Sequence, residues 1–137
     1  EHKATVQNCM LMRGFDDVFF IPQSRHTTVL EEDVRKVDAL EIVATSKESG
    51  IGIMVSKNGR EIYATGHLEY DPETLGLEYF RDVNKGLKIK PPANYFQEDD
   101  PSKPPLVRWR SHAHLFFSNW LNYFVYQETP YNIEEID

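Results

Sequence analysis

The chain of 137 residues is 40% hydrophobic and 27% charged, the balance of one globular domain long enough to bury a core. A formal net charge of -7 with no cluster of lysine and arginine excludes a surface built to displace counterions from nucleic-acid phosphates, so no nucleic-acid partner is expected. Apolar runs such as Phe19-Phe20-Ile21 are far too short for a bilayer, no secretory leader pattern opens the chain, and a lone cysteine, Cys9, leaves no intrachain disulfide. A cytoplasmic protein without a membrane partner is the expectation.

Residues 1–12 carry no clear period and read as a loop. Cys9 sits among the bulky neighbours Asn8, Met10 and Leu11, whereas a nucleophilic thiol on an α/β scaffold needs a tight strand-to-helix turn with small flanking residues, so a structural thiol is expected. Residues 18–21 predict a buried strand cut short by Pro22, and residues 23–29 a second strand-like run, with Ser24, Arg25 and His26 at the break. Residues 31–37 predict a short helix with acidic residues at its positive end and Arg35 and Lys36 at its negative end. Three strands follow over 39–45, 51–56 and 61–65, the last two joined through Asn58-Gly59, the turn pair of a tight hairpin.

That meander feeds the stretch Thr65-Gly66-His67-Leu68-Glu69-Tyr70-Asp71. Gly66 ends the strand where the backbone is expected to take a conformation that a Cβ would forbid, and His67 then stands at a carboxyl edge of the sheet, where open α/β folds bind ligands. Glu69 is close enough to take a hydrogen bond from one imidazole nitrogen and fix which tautomer the other presents, which is the base and orienter of a triad without its nucleophile. By spacing alone, a surface turn whose His and Glu meet solvent is the default, because G-H-x-E is a short pattern.

Asp71-Pro72 predicts a capped helix start and Asn84-Lys85-Gly86 its close, with Leu75, Tyr79, Val83 and Leu87 as the buried stripe and Arg81 on the opposite side. Residues 88–105 form a long polar connection, functional or mobile. Ser111 predicts the cap of a final helix reaching about residue 126, with Phe117, Trp120, Leu121 and Phe124 facing the core. His112 and His114 lie about 200° apart around such a helix and cannot share a metal, and with no HExxH or CxxC pattern no metal site is expected. The strands and helices together predict an α/β domain with a mixed sheet.

Several stretches in order carry a resemblance: Arg13-Gly14-Phe15-Asp16-Asp17, Pro22-Gln23-Ser24-Arg25-His26, the stretch from Thr65 to Asp71, Phe80-Arg81-Asp82, Trp109-Arg110-Ser111-His112 and Asn119-Trp120-Leu121-Asn122-Tyr123. Together they resemble the C-terminal half of homoserine O-acyltransferases of the MetA type, usually called homoserine O-succinyltransferase. The resemblance implies a class I glutamine amidotransferase-like (flavodoxin-like) fold, of which residues 1–137 are the C-terminal part of a single domain. It implies that a cysteine outside these residues takes an acyl group from succinyl-CoA or acetyl-CoA as a thioester and passes it to the γ-hydroxyl of L-homoserine, an early step of methionine biosynthesis. By that likeness His67 is the general base, Glu69 its support, and Ser24 and Arg81 bind substrate, the arginine fork suiting the homoserine carboxylate. No cofactor beyond the acyl-CoA co-substrate is implied, the full-length protein is expected to be a homodimer, and residues 1–137 alone are expected to be inactive. Two alternatives share the fold: a glutamine amidotransferase, and a non-catalytic binding module.

Overall fold

The computed structural model describes residues 1–135. Four strands lie in sequence order across one sheet: β1 (Lys3–Ala4), β2 (Leu40–Ser46), β3 (Gly50–Ser56) and β4 (Ile62–Ala64). Every pairing is antiparallel, so the mixed sheet expected from the sequence is corrected among the described residues to an antiparallel one. The reason is local: β2 to β3 and β3 to β4 are hairpins, and a short connection forces the chain back on itself. The second hairpin is longer than the two-residue turn expected, because Gly59 N donates to Ser56 O at 2.8 Å and Gly59 alone takes the left-handed conformation, φ +72. Between Ile42 and Thr45 the register slips by a bulge, which adds twist to β2.

Burial on both faces of β3 explains its continuous apolar run, Ile51-Gly52-Ile53-Met54-Val55. On one face Val43, Ala44, Ile53 and Val55 pack with Leu11, Met12, Phe19, Ile21, Leu68, Ala113 and Phe116. On the other, Ile42, Ile51 and Met54 pack under Val34. Val34 belongs to α1 (Glu31–Val34), shorter than the expected 31–37 because Lys36 N and Val37 N turn back three residues, to Asp33 and Val34. Residues 18–29 form no strand beyond a single bridge of Phe19 to His2. Pro22 has no N–H to give a ladder, and its carbonyl is spent on His67 instead.

Helix α2 (Thr74–Asn84) starts later than Asp71-Pro72 suggested, since Asp71 supplies only its carbonyl to Thr74 N, at 3.2 Å, in a leading turn. Its close is as expected: Gly86 sits at φ +78 and Leu87 N reaches back to Asp82 O at 3.1 Å. The predicted stripe holds only for Leu75 and Tyr79, whereas Val83 and Leu87 are exposed. The helix packs not on the sheet but on the long connection, in a separate cluster of Leu75, Tyr95, Phe96 and Trp109. Tyr95 clamps it, accepting from Gly76 N at 3.0 Å and donating to Pro72 O at 2.5 Å. The connection over 88–105 is therefore anchored at its centre by two buried aromatics.

Helix α3 (Arg110–Asn119) begins at Trp109, not at a Ser111 cap, and buries His112, Ala113, Phe116 and Asn119. Of the expected face, Phe124 packs against the main core whereas Phe117, Trp120 and Leu121 are exposed, and from Trp120 to Tyr126 the winding loosens to a π-helix that breaks the 3.6-residue period. Asn119 holds the helix to the loop below by donating to Leu11 O at 3.0 Å and Arg13 O at 2.8 Å.

One buried polar side chain makes the fold sensitive to acid. His2, 1% exposed, bridges Phe19 through its backbone and stacks on the Phe19 ring at 5.9 Å. Burial first, helped by the positive charge of Arg25, pushes its pKa from 6.5 down to about 4. The unfolded chain therefore binds a proton between those values that the folded one refuses, so stability is full above about pH 6.5 and is lost as pH falls toward about 4. The shift corresponds to about 3 kcal/mol at most. Urea unfolding between pH 7 and 4 should show that loss in the parent and a shallower one in His2→Gln.

Candidate functional site

β4 hands the chain over to the site through three fixed points. Thr65 donates its N–H to Gly52 O at 2.9 Å and its hydroxyl to Ile51 O at 2.5 Å, tying the strand end to β3. At Gly66 the segment 21–23 passes so close that an added Cβ would lie 2.5 Å from Ile21 Cγ2 and 2.7 Å from Pro22 O. Glycine is needed here for space, since its φ is not positive. One residue on, His67 N donates to Pro22 O at 2.8 Å. Leu68 then drops into the core, 3% exposed, which turns His67 and Glu69 outward together.

The imidazole and carboxylate meet as their spacing suggested: His67 Nδ1 lies 2.9 Å from Glu69 Oε1. With Nδ1–H donated to the carboxylate, Nε2 carries the lone pair and faces away from it. The side chain of His67 is 33% exposed and that of Glu69 60%, so the pair is open to an incoming group. Tyr70 completes the cluster, its ring stacked on the imidazole with centroids 4.2 Å apart and planes 13° from parallel.

Beyond Tyr70 the network reaches α2. The Tyr70 hydroxyl donates to Glu78 Oε1 at 3.0 Å, and its pKa is raised by burial first and then by the Glu78 contact, while the half-buried Ser24 hydroxyl beside it pulls the other way. Glu78 Oε2 is buried without a hydrogen-bond partner. Arg81, three residues along the helix, holds Asp82 with both arms of its fork, Nε to Oδ1 at 2.7 Å and Nη2 to Oδ2 at 3.0 Å. The hydrogen bond, more than the charge, lifts the Arg81 pKa and lowers that of Asp82. Glu78 and Tyr70 also stand close enough to favour the arginine's charge. The structure thus gathers Ser24, His67, Glu69 and Arg81 around Tyr70 and Glu78. Arg81 presents only its remaining N–H groups to an additional ligand.

Cys9 lies apart from this cluster, packed against the sheet's main core and lining a hollow with Val6, Met10 and Phe15. His112 is also elsewhere, 3.3 Å from Asp16 and tilted on Phe15. Among the described residues no three His, Cys, Asp or Glu side chains converge as metal ligands, and no helix is long and apolar enough to cross a membrane. The sequence stretches that carry the resemblance include Tyr70 and Trp109 without a role of their own, and Glu78 is absent from them. The signal available was spacing: Glu78 and Arg81 share a helix face three residues apart, and Tyr70 abuts the histidine motif.

A half-open imidazole held by a carboxylate at the end of a strand, on a mixed α/β domain, is an arrangement suited to holding a proton-transfer group. A profile of the homoserine O-succinyltransferase family matches residues 1–131, and the chain belongs to that family. It is 56% identical over 135 residues to a homoserine O-acetyltransferase of Acetivibrio thermocellus, matching 98% of this chain and 44% of that protein. Similar likenesses hold to homoserine O-acetyltransferases of Petrotoga mobilis, 52% identical over the whole chain and 44% of the relative, and of Bacteroides fragilis, 57% identical over 99% of the chain and 45% of the relative. The chain thus spans a little under half the length of these relatives.

The crowding at Gly66 gives a direct check. In Gly66→Ala either the 21–23 segment or the strand end must move, which should cost about 1–3 kcal/mol of stability, read as a lower urea midpoint with an unchanged slope. An unaltered midpoint would show that the close passage is not constraining.

Proposed function

We propose that this chain carries the base and the amino-acid-binding side of a homoserine O-acyltransferase, acting within a longer protein of class I glutamine amidotransferase-like fold. The observation that carries the reading is the His67–Glu69 pair, 2.9 Å apart, on a backbone pinned to Pro22, in a chain of this family. The nucleophile is a cysteine outside residues 1–137: Cys9 is packed away from His67, and the relatives are more than twice as long. Residues 1–137 are the C-terminal part of that single domain, cytoplasmic and homodimeric as a full-length protein, and inactive by themselves. The reaction needs no cofactor beyond acyl-CoA.

In this mechanism His67 Nε2 takes the proton of the cysteine thiol as its sulfur attacks the acyl-CoA carbonyl, forming an enzyme thioester and releasing CoA with that proton. The γ-hydroxyl of L-homoserine then attacks the thioester, losing its proton to Nε2, and O-acyl-L-homoserine leaves as the thiol is restored. Glu69 keeps Nδ1 protonated through both steps and stabilises the imidazolium that forms. Arg81 offers its free N–H groups to the homoserine carboxylate, and Ser24 adds a hydroxyl on the same side.

The test is acyl transfer to homoserine by the complete protein, with acetyl-CoA and succinyl-CoA as separate donors. His67→Ala should lower kcat by at least a hundredfold, the scale of a lost general base. Arg81→Ala should raise KM for homoserine about tenfold or more and leave KM for acyl-CoA within about twofold, the scale of a charged hydrogen bond. The preferred donor also fixes the acyl group. Absence of transfer with either donor, with ammonia released from glutamine, would move the reading to a glutamine amidotransferase, and absence of both to a binding module.

A further inference from the structure

We propose that Tyr70 is a positioning residue for His67, its stacked ring fixing the plane of the imidazole that the Glu69 hydrogen bond leaves free to swing. This deepens the acyltransferase reading and rests on it for its kinetic consequence, though not for its structural one.

A single contact to Nδ1 sets the tautomer but acts as a pivot. Glu69 is itself 60% exposed, so the carboxylate end of that hydrogen bond is not held by packing. A second contact, on the ring face, removes the swing. Tyr70 supplies it at a centroid separation of 4.2 Å and an angle of 13°, within the range of favourable aromatic pairs.

The tyrosine is able to do this because it is held at both ends. Its backbone carbonyl accepts a hydrogen bond from Trp109 Nε1 at 3.0 Å, and Trp109 is buried at the start of α3 against Tyr95. Its hydroxyl donates to Glu78 Oε1 at 3.0 Å on α2, with Ser24 alongside. The ring is thus a strut between two helices, and His67 leans on it. The charged groups about the pair are Glu69 from the strand end and Glu78 and Arg81 from α2. An aromatic face also attracts the imidazolium formed during each transfer, so the contact persists through both protonation states. The same strut joins the base to the helix that carries Arg81, setting the distance between Nε2 and a substrate carboxylate.

The experiment compares Tyr70→Phe and Tyr70→Leu in the complete protein, with kcat and KM for homoserine and the ring-proton resonances of His67 followed together. In the parent, stacking should move the His67 ring protons upfield by ring current. Tyr70→Phe, which keeps the ring face but loses the Glu78 tie, should retain most of that shift and lose less kcat than Tyr70→Leu, which should abolish the shift and lower kcat roughly tenfold to a hundredfold with KM changed less than about threefold. Ring protons at ordinary positions in the parent would overturn the proposal without recourse to any variant, which covers the case of Tyr70→Leu failing to fold. Full kcat in Tyr70→Leu, or equal impairment in both variants, would overturn it as well, the latter by assigning the role to the hydroxyl. If the parent transfers no acyl group, the acyltransferase reading falls, and the resonance comparison alone still decides the stack.

Discussion

The contact on which the site depends is the passage of residues 21–23 against Gly66. There a proline carbonyl takes the N–H of His67, and the absence of a side chain at Gly66 lets the two segments touch. Without it, β4 would end in an ordinary loop and the histidine would have no fixed origin. Pro22 makes this possible twice over: it cannot join a ladder, so its segment crosses the strand end instead of pairing with it, and its carbonyl remains free to accept. The buried Leu68 then locks the alternation that points His67 and Glu69 out on one side.

Around that point two separate cores meet. The strand end, with His67, belongs to the sheet's main cluster, whereas α2, with Glu78 and Arg81, rests on the cluster built from Tyr95, Phe96 and Trp109. Tyr70 bridges them, touching His67 on one side and Glu78 and Trp109 on the other. Long connections over a surface are usually mobile. The one over 88–105 serves instead as the floor of a helix, because its two buried aromatics contribute roughly 1.5–3 kcal/mol each and the Tyr95 hydroxyl satisfies two backbone groups at the helix start.

What was legible in the sequence was what neighbouring residues decide among themselves. The three strands of the meander, the left-handed glycines at their turns and at the close of α2, and the His67–Glu69 hydrogen bond all arise from residues within a few positions of each other. The errors share a different cause. Val83 and Leu87 repeat at helical spacing yet face outward, because the cluster under α2 meets the helix at Leu75 and Tyr79, and Trp120 and Leu121 do so where the winding loosens after Asn119. Residues 18–29 have strand-like composition but meet the sheet edge only at the Phe19–His2 bridge, and Pro22 cannot continue a ladder from there.

By itself, then, the sequence determined the antiparallel meander's elements and the pairing of His67 with Glu69, since those follow from propensity, turn chemistry and short spacings, while several stretches in order carried the likeness to its family. Only the tertiary structure decided that Gly66 is required for space and not for a special backbone angle. Only it brought Tyr70 between His67, Glu78 and Trp109. The Gly66–Ile21 and Tyr70–Trp109 contacts join residues 45 and 39 positions apart in the chain, and nothing in local chemistry specifies which distant surface a helix or loop will settle against.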